Sequence, residues 1–346
     1  MKAESNNKLF KTAIVAGALL FILVVSVIFL PGILRNYQAN VQRDSVLYIY
    51  PGASFEAIRD SIAPYLKNVN SFVKTARQSN LEHSFMPGRY KLEGGMKNKD
   101  IVRMIQRGWQ SPMMLTLSGN IRNKERLSAI LGRRLAPDSA DFAAYFKDAA
   151  VWKKYGLAEE TFISIFIPNS YEVYWTMTPE QFMERMKKEN DVFWTPERQQ
   201  KAEKLGLSRE EVSTLASIVC EESNYKPEQP AIAGVYINRL KRGMKLDADP
   251  TVKFAWKDPS IKRILFRHLE IDSPYNTYKK TGLPPGPITI PGVSCLDAVL
   301  NYQKHNYLYF CADASLNGTH RFAGTLAEHN RNAKAYQAAI SKLGVK

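Results

Sequence analysis

The sequence predicts an α+β protein that begins with a transmembrane helix, continues through a small α+β module and ends in a larger mixed α+β domain. Three observations support this: an uncharged apolar run from Ala13 to Leu30, alternating strand and helix patterns after residue 45, and a capped amphipathic helix after residue 208. We therefore divide the chain into an anchor with its terminal tip (1–34), a tether (35–44), the small module (45–112) and the large domain (113–346).

The composition narrows the class of protein. The chain has 346 residues, is 45% hydrophobic and carries a formal charge of +15. This length and composition allow about two folded units with sizeable cores. The basic surplus predicts attraction to anionic surfaces, which include nucleic acid, phospholipid headgroups and acidic cell-wall polymer.

The apolar run AIVAGALLFILVVSVIFL is long enough to cross a bilayer as one helix. Lys2, Lys8 and Lys11 precede it, so the positive-inside rule places the N-terminus in the cytoplasm, although Arg35 and Arg43 beyond it weaken the bias. A cleaved signal peptide is the alternative, but no small-residue cleavage site follows the run. We expect a single-pass protein of the cytoplasmic (inner) membrane with an extracytoplasmic body, which excludes nucleic acid as a natural partner.

The three cysteines, Cys220, Cys295 and Cys311, match no zinc or redox spacing. We expect neither a metal site nor a disulfide framework. A single bridge between Cys295 and Cys311 is left open.

The small module follows the polar tether NYQANVQRD. VLYIYPGAS predicts a strand and turn, SFEAIRDSIAPYL a helix, FMPGRYKL a turn and strand, and KNKDIVRMIQRG a second helix. Through Trp109 this order resembles a LysM-like carbohydrate-binding module. The alternative is a packing module that holds the large domain above the bilayer, because fold does not determine function.

The large domain begins with a strand pattern, MLTLSGNI, and a helix pattern, RNKERLSAILGRRL. Near its end, NYLYFCAD (306–313) predicts a buried strand and TLAEHNRNAKAYQAAISKL a closing helix.

The most informative segment is LSREEVSTLASIVCEESNY. Ser208 and Glu211 form a capping box, which predicts a helix from about Arg209 until Asn224 to Pro227. At about 100° per residue, Glu222 shares the apolar face of this helix, whereas Glu221 points away and should be solvated. Loss of hydration would raise the pKa of Glu222 and suit it to donate a proton. The alternative is a structural Glu222 paired to an arginine such as Arg239.

Two later segments supply candidate substrate-binding residues. IAGVYINRLKRGMKLDADPTV predicts a second helix followed by a loop with Asp247 and Asp249, of which Asp249 is interpreted as loop-shaping. PYNTYKKTGLPPGPITIPG predicts a rigid, aromatic-lined wall of the kind that sugars favour. The predicted site comprises Glu222 as the catalytic residue, and Asn238, Arg239, Tyr275 and Asn276 as substrate-binding residues.

Together, LASIVCEES, YINRL, DADPTV, YNTYKKTGLPPGPI, YLYF and HRF…T…HN resemble the YceG-like (MltG) family of endolytic murein transglycosylases, in order and approximate spacing. The resemblance covers nearly the whole chain and implies a YceG-like catalytic domain in which Glu222 is the catalytic glutamate. Cys220 departs from the family pattern, because many members carry Glu or Gln there. No metal or cofactor is implied.

By this resemblance, Glu222 protonates the glycosidic oxygen between N-acetylmuramic acid and N-acetylglucosamine, and the muramyl C6 hydroxyl then closes onto C1. The implied partners are peptidoglycan glycan strands, the membrane and peptidoglycan synthases, with a role in ending growing strands. Two alternatives are a hydrolase that also uses Asp247 or Asp249, and a non-catalytic wall-binding scaffold.

Overall fold

The computed structural model describes residues 2–258, 260–261 and 263–342. The chain folds into two compact units. The first comprises the residues up to Met113 together with Glu172–Thr176, and the second comprises Met114–Tyr171 together with the chain from Met177 onward.

The first unit contains the long N-terminal helix and a small α+β fold. Its elements in chain order are α1 (Lys2–Tyr37), β1 (Ser45–Ile49), α2 (Phe55–Ile62), α3 (Val69–Gln78), β2 (Gly88–Leu92) and α4 (Asn98–Gln106).

Helix α1 has the length and composition of a membrane span over Ile14–Tyr37. Its apolar side chains are exposed, with Phe21 at 70% and Val27 at 67%. Water would make such exposure costly, whereas lipid would not. The helix continues to Tyr37 and so includes the first residues of the predicted tether. One of these, Arg35, contacts the small fold, because its carbonyl accepts from Nδ2 of Asn98 at 2.9 Å.

The small fold of the first unit is built on an antiparallel pair of strands. β1 and β2 pair with Leu47 opposite Tyr90, and both side chains are buried. Side chains on alternate positions of these strands pack against the apolar faces of the helices, which include Phe72 and Ile101. Both predicted strands and both predicted helices are present, and α3 is an additional helix that the sequence patterns did not indicate.

The second unit is larger and mostly helical. Its elements are β3 (Met113–Leu117), α5 (Lys124–Gly132), α6 (Ser139–Lys147), α7 (Ala149–Lys154), β4 (Asn169–Val173), α8 (Pro179–Phe193), α9 (Pro196–Leu205), α10 (Arg209–Glu222), α11 (Gln229–Lys241), α12 (Asp249–Trp256), α13 (Val293–Leu300), β5 (Tyr309–Ala312), β6 (His320–Ala323) and α14 (Leu326–Lys342). Of these strands, Met113 of β3 and Glu172 and Val173 of β4 are counted with the first unit. β3 pairs with β4, and β5 pairs antiparallel with β6.

Helix α10 is the central helix of the main core of this unit. Leu215, Ile218 and Val219 on α10 are fully buried, and they belong to one apolar cluster with Ile232 of α11 and Leu296 of α13. A helix surrounded by other elements in this way is fixed by apolar burial on several sides. The predicted burial of the 306–313 strand is wrong, because every residue of β5 is only partly buried.

Candidate active site

Helix α10 places Glu222 at its C-terminal end, as the sequence patterns predicted for this helix. The hydroxyl of Ser208 accepts from the backbone N–H of Glu211, and the Glu211 carboxylate accepts from the N–H of Ser208, so the predicted capping box is present. The helix ends at Glu222, and Ser223 is already extended. Glu222 continues the inward stripe of Leu215, Ile218 and Val219 and is itself partly buried.

The closest polar partner of Glu222 is Tyr236 on the neighbouring helix α11. The Tyr236 hydroxyl donates to Oε1 of Glu222 at 2.6 Å. Tyr236 is 2% exposed, so the donor of this hydrogen bond is buried, whereas the Glu222 acceptor is partly exposed. Arg239, the residue that could have neutralised Glu222, instead forms an ion pair with Asp247 at 2.9 Å.

The surroundings of Glu222 favour its protonated form. Burial raises the pKa of Glu222 to about 7; the hydrogen bond from Tyr236 opposes this shift, and the charges of Asp249 and Glu221 add to it. Burial and the adjoining carboxylate also raise the pKa of Tyr236 well above its ordinary value, so the phenol stays a donor. Glu222 can therefore carry a proton near neutral pH, where an ordinary glutamate has lost it.

A second carboxylate, Asp249, contributes to this electrostatic environment. Asp249 is the first residue of α12, a helix that the sequence interpretation had taken as loop. Its Oδ1 accepts from the hydroxyl of Tyr278 at 2.6 Å. Burial and then this hydrogen bond raise the pKa of Tyr278. The Tyr278 hydroxyl therefore remains a donor and holds the Asp249 carboxylate in place.

Glu221 is not solvated, so that prediction is wrong. Its side chain is only 16% exposed, and its Oε2 accepts from Nη2 of Arg122 at 2.5 Å. Helix phase directed Glu221 away from the apolar core, but a segment distant in sequence covers this face of the helix.

The cysteines also differ from the expectation. Cys220 and Cys295 form a disulfide, and Cys311 is free, so the Cys295–Cys311 bridge that the sequence left open does not occur. Cys220 and Cys295 lie on adjacent helices whose contact could not be derived from cysteine spacing.

Asn238 and Arg239 of α11 bind backbone carbonyls. The Nδ2 of Asn238 donates to the carbonyls of His305 and Tyr307, at 2.8 and 3.0 Å. Arg239 is 7% exposed; its Nη1 donates to the carbonyl of Leu246 at 3.0 Å as well as to Asp247. Asn238 thereby holds the 305–307 segment, and Arg239 holds the 246–247 segment.

Tyr275 and Asn276 occupy different environments although they are adjacent. Tyr275 is partly buried and packs against Phe254, with ring centroids 4.8 Å apart. Asn276 is fully buried, and its Nδ2 donates to the carbonyls of Leu269 and Ile271, each at 2.8 Å. The internal partners of Asn238, Arg239 and Asn276 thus differ from the direct sugar contacts that the sequence predicted.

A cleft in the second unit is lined by Tyr275, whereas Glu222, Asn238, Arg239 and Asn276 are outside its lining. It has a volume of about 780 Å³, and its walls combine charged side chains with the predicted aromatic and proline-rich segment. The lining includes Arg122, Lys124, Glu160, Phe254, Tyr275 and Pro287. Arg122 connects the cleft to α10, because the same guanidinium binds Glu221 next to Glu222.

Sequence patterns missed Tyr236, Tyr278 and Arg122. The signal for Tyr236 was its place on the apolar face of α11, between Ile232 and Ile237, because a buried phenol requires a hydrogen-bond partner. Nothing comparable marked Arg122, whose partner Glu221 lies 99 residues away.

The second unit is thus a mixed α+β domain in which a central helix ends in a partly buried, protonatable carboxylate. The YceG-like family model matches residues 47–335, and the chain belongs to this family.

Comparison with individual proteins agrees with the family assignment. The chain is 47% identical over 133 residues to an endolytic murein transglycosylase of Bacillus subtilis, which covers 38% of this chain and 35% of the relative. It is 27% identical over 279 residues to one from Streptococcus pneumoniae, over 71% of this chain and 49% of the relative. The chain thus spans half or less of the length of these relatives. A crystal structure of a yceG-like protein from Listeria monocytogenes superposes with a TM-score of 0.54 at 28% identity, covering 84% of this chain and 98% of that one.

Proposed function

We propose that this protein is an endolytic lytic transglycosylase of peptidoglycan. It cleaves the bond between N-acetylmuramic acid and N-acetylglucosamine within glycan strands and leaves 1,6-anhydromuramyl ends. The observation that carries this proposal is the partly buried Glu222 carboxyl, whose pKa is raised to about 7 in a member of the YceG-like family. The relatives from Bacillus subtilis and Streptococcus pneumoniae, both endolytic murein transglycosylases, support the same assignment.

In the proposed reaction Glu222 acts twice. As an acid it transfers its proton to the glycosidic oxygen, so that the bond to C1 of the muramyl residue breaks and N-acetylglucosamine leaves. The C6 hydroxyl of the same muramyl residue then attacks C1 and returns its proton to the Glu222 carboxylate. Because the nucleophile belongs to the substrate, no water is consumed and the step gains from intramolecular proximity. Tyr236 keeps the carboxyl oriented through both transfers.

The four predicted substrate-binding residues receive different roles in this proposal. Tyr275 lines the cleft and offers a sugar an apolar face with a polar tip, so we assign it a direct contact. The side-chain N–H groups of the other three residues, Asn238, Arg239 and Asn276, donate to backbone carbonyls. We therefore assign these residues to shaping the walls of the site.

We further propose that α1 anchors the protein in the cytoplasmic membrane with its N-terminus inside. Segments 1–34 and 35–44 would then form the anchor and tether, 45–112 a LysM-like module, and 113–346 the extracytoplasmic catalytic domain. The apolar, exposed face of α1 supports the anchor, and the strand–helix–helix–strand order of β1, α2, α3 and β2 supports the module. Cleavage of nascent strands next to peptidoglycan synthases would end strand growth.

The deciding experiment compares full-length protein in detergent with its Glu222→Gln variant on purified glycan strands. Mass spectrometry should find new anhydromuramyl ends, each lighter than a hydrolytic end by one water, with the parent protein only. The matched control is Glu197→Gln, an exposed glutamate ion-paired with Lys201 on the surface. Equal cleavage by Glu222→Gln and the parent would reject Glu222 as the acid.

A hydrolase with two carboxylates is the second candidate, because the charge of Asp249 acts on Glu222. In that mechanism Asp249 would activate water or attack C1. Reducing ends without anhydromuramyl ends would favour the hydrolase. Glycan binding without cleavage by the parent would instead indicate a wall-binding scaffold.

A further inference from the structure

The last turn of α10, Val219–Glu222, is held from opposite sides. On one side the Tyr236 hydroxyl of α11 binds the Glu222 carboxyl. On the other side Cys220 is bonded covalently to Cys295 in the first turn of α13. Residues 220 and 222 lie about 200° apart around a helix, so the disulfide is attached to the face opposite the carboxyl.

The segment that precedes Cys295 follows α10 for about one turn, from Ser217 to Cys220. The backbone N–H of Ile288 donates to the hydroxyl of Ser217 at 3.0 Å, and the N–H of Gly292 donates to the sulfur of Cys220 at 3.3 Å. Ser217 is fully buried and Cys295 is 1% exposed, whereas Cys220 and Gly292 are partly buried, so water is excluded from most of this contact. The disulfide closes this contact at the point where α10 ends.

Helix ends fray unless something holds them, because their last carbonyls lack intrahelical partners. The N–H of Ser223, the residue after the helix, donates to the carbonyl of Val219 at 3.2 Å. Opening this turn would move the Glu222 carboxyl away from both Tyr236 and a bound glycan. A covalent link within the turn opposes such opening.

We propose that the Cys220–Cys295 disulfide is a positioning element for catalysis, which holds the end of α10 so that Glu222 faces the glycan in reactive geometry. This inference rests on the proposed function, since it assigns a role within that reaction. It also makes cleavage depend on the thiol state of the protein. A dithiol reductant such as dithiothreitol supplies two electrons and two protons, which convert the disulfide to two thiols while the reductant becomes a cyclic disulfide.

The first test counts thiols in the full-length protein purified without reductant and then denatured. We expect one reactive thiol, from Cys311, and three after reduction. Three thiols before reduction would overturn the proposal, because the link would not exist in the protein.

The second test compares the parent with the Cys220→Ser/Cys295→Ser variant on purified glycan, below the unfolding temperature of both. Because a displacement of about 1 Å can reduce a rate by about a hundredfold, we expect kcat to fall about tenfold, with KM changed less than about twofold. Water reaching Glu222 would also lower its pKa toward the ordinary value. The decrease of kcat on the alkaline side of its pH profile, the alkaline limb, should therefore move to lower pH. A merely structural disulfide would lower the unfolding temperature without moving that limb.

Local amide exchange provides a readout that does not depend on activity. In the variant, or after reduction of the parent, the amides of Cys220 to Ser223 should exchange about tenfold faster, while those of Leu215 to Ile218 stay protected. The control Cys311→Ser removes the free thiol and should change neither exchange nor kcat. An inactive parent protein would contradict the proposed function, whereas an active parent and a variant with the same kcat, pH profile and exchange would contradict only the positioning role.

Discussion

Tyr236 donates its hydroxyl hydrogen to Oε1 of Glu222 across 2.6 Å, at a place where α10 and α11 exclude most water. Two opposing effects meet in this contact. Burial favours the neutral carboxyl, whereas the phenol hydrogen bond favours the carboxylate. Since burial is the larger effect, the pKa of Glu222 is about 7, and the group can both donate and recover a proton near neutral pH.

Replacing Tyr236 by phenylalanine should shift the pH dependence of cleavage upward. Tyr236→Phe removes the donor that stabilises the carboxylate, so the pKa of Glu222 rises further. The alkaline limb of kcat should move up by about one pH unit, since a hydrogen bond to a charged group is worth about 1.5 kcal/mol or more. The measurement is kcat on purified glycan between pH 5 and 9. Tyr174→Phe, at an exposed tyrosine of the same chain, should leave the limb in place; a downward shift in Tyr236→Phe would contradict the assignment.

Removing the ionisable group at Glu222 should stabilise the protein at neutral and alkaline pH. The pKa of Glu222 is higher in the folded protein than in the unfolded chain. Its contribution to the free energy of unfolding is therefore fully present below about pH 4 and is lost as pH rises through 7. Glu222→Gln lacks this loss and should gain about 1 to 3 kcal/mol at pH 8, allowing for partial exposure of the group. Thermal unfolding at pH 4 and pH 8 measures the difference.

The matched control for this stability test is Glu197→Gln. Glu197 lies on the surface, and its hydrogen bond with Lys201 lowers the pKa of its carboxyl, so this substitution should bring no gain at pH 8. If Glu222→Gln proved no more stable than the parent at pH 8, Glu222 would not be desolvated as described.

Asp249→Asn should move the alkaline limb in the opposite direction to Tyr236→Phe. The negative charge of Asp249 raises the pKa of Glu222, so its removal lowers that pKa and brings the limb to lower pH. Cleavage itself should continue, with anhydromuramyl ends. Asp272→Asn, at an exposed aspartate, is the control and should have the parent profile. Abolished cleavage in Asp249→Asn alone would favour the two-carboxylate hydrolase.

Gly286→Ala should destabilise the cleft wall. A Cβ at Gly286 would lie 2.0 Å from the carbonyl oxygen of Glu160, which forces the backbone of one segment to move. We expect a loss of about 1 to 3 kcal/mol in stability and a higher KM, because Glu160 lines the cleft. Thermal unfolding and glycan-concentration dependence provide the two measurements. At Gly324 an added Cβ would only touch Asn306 at 3.7 Å, so Gly324→Ala should behave as the parent in both.

The elements that sequence patterns predicted were those whose signals are local. The apolar run of α1, the strand patterns of β1 and β2 and the capping box of α10 each depend on neighbouring residues, and all are present. Helix α12 was missed because it has only eight residues and begins with Asp-Pro, which was interpreted as part of a loop. Helix α3 was missed although Val69, Phe72, Val73 and Ala76 follow helical spacing and pack into the core of the first unit. β5 was expected to be buried because its residues are mostly apolar. The elements that pack against a strand decide how much of it is exposed to solvent, and these cannot be read from the strand itself.

For the site, the amino-acid sequence by itself determined that Glu222 lies on the inward face of a capped helix, because helical period and capping are set within a few residues. Tertiary structure alone decided the partners of that helix end. Tyr236 is 14 residues from its partner Glu222 along the chain, and Cys295 is 75 residues from Cys220. Arg122 is 99 residues from Glu221. Such contacts depend on how whole helices pack, and that packing sets both the burial and the hydrogen bond that place the pKa of Glu222 near 7.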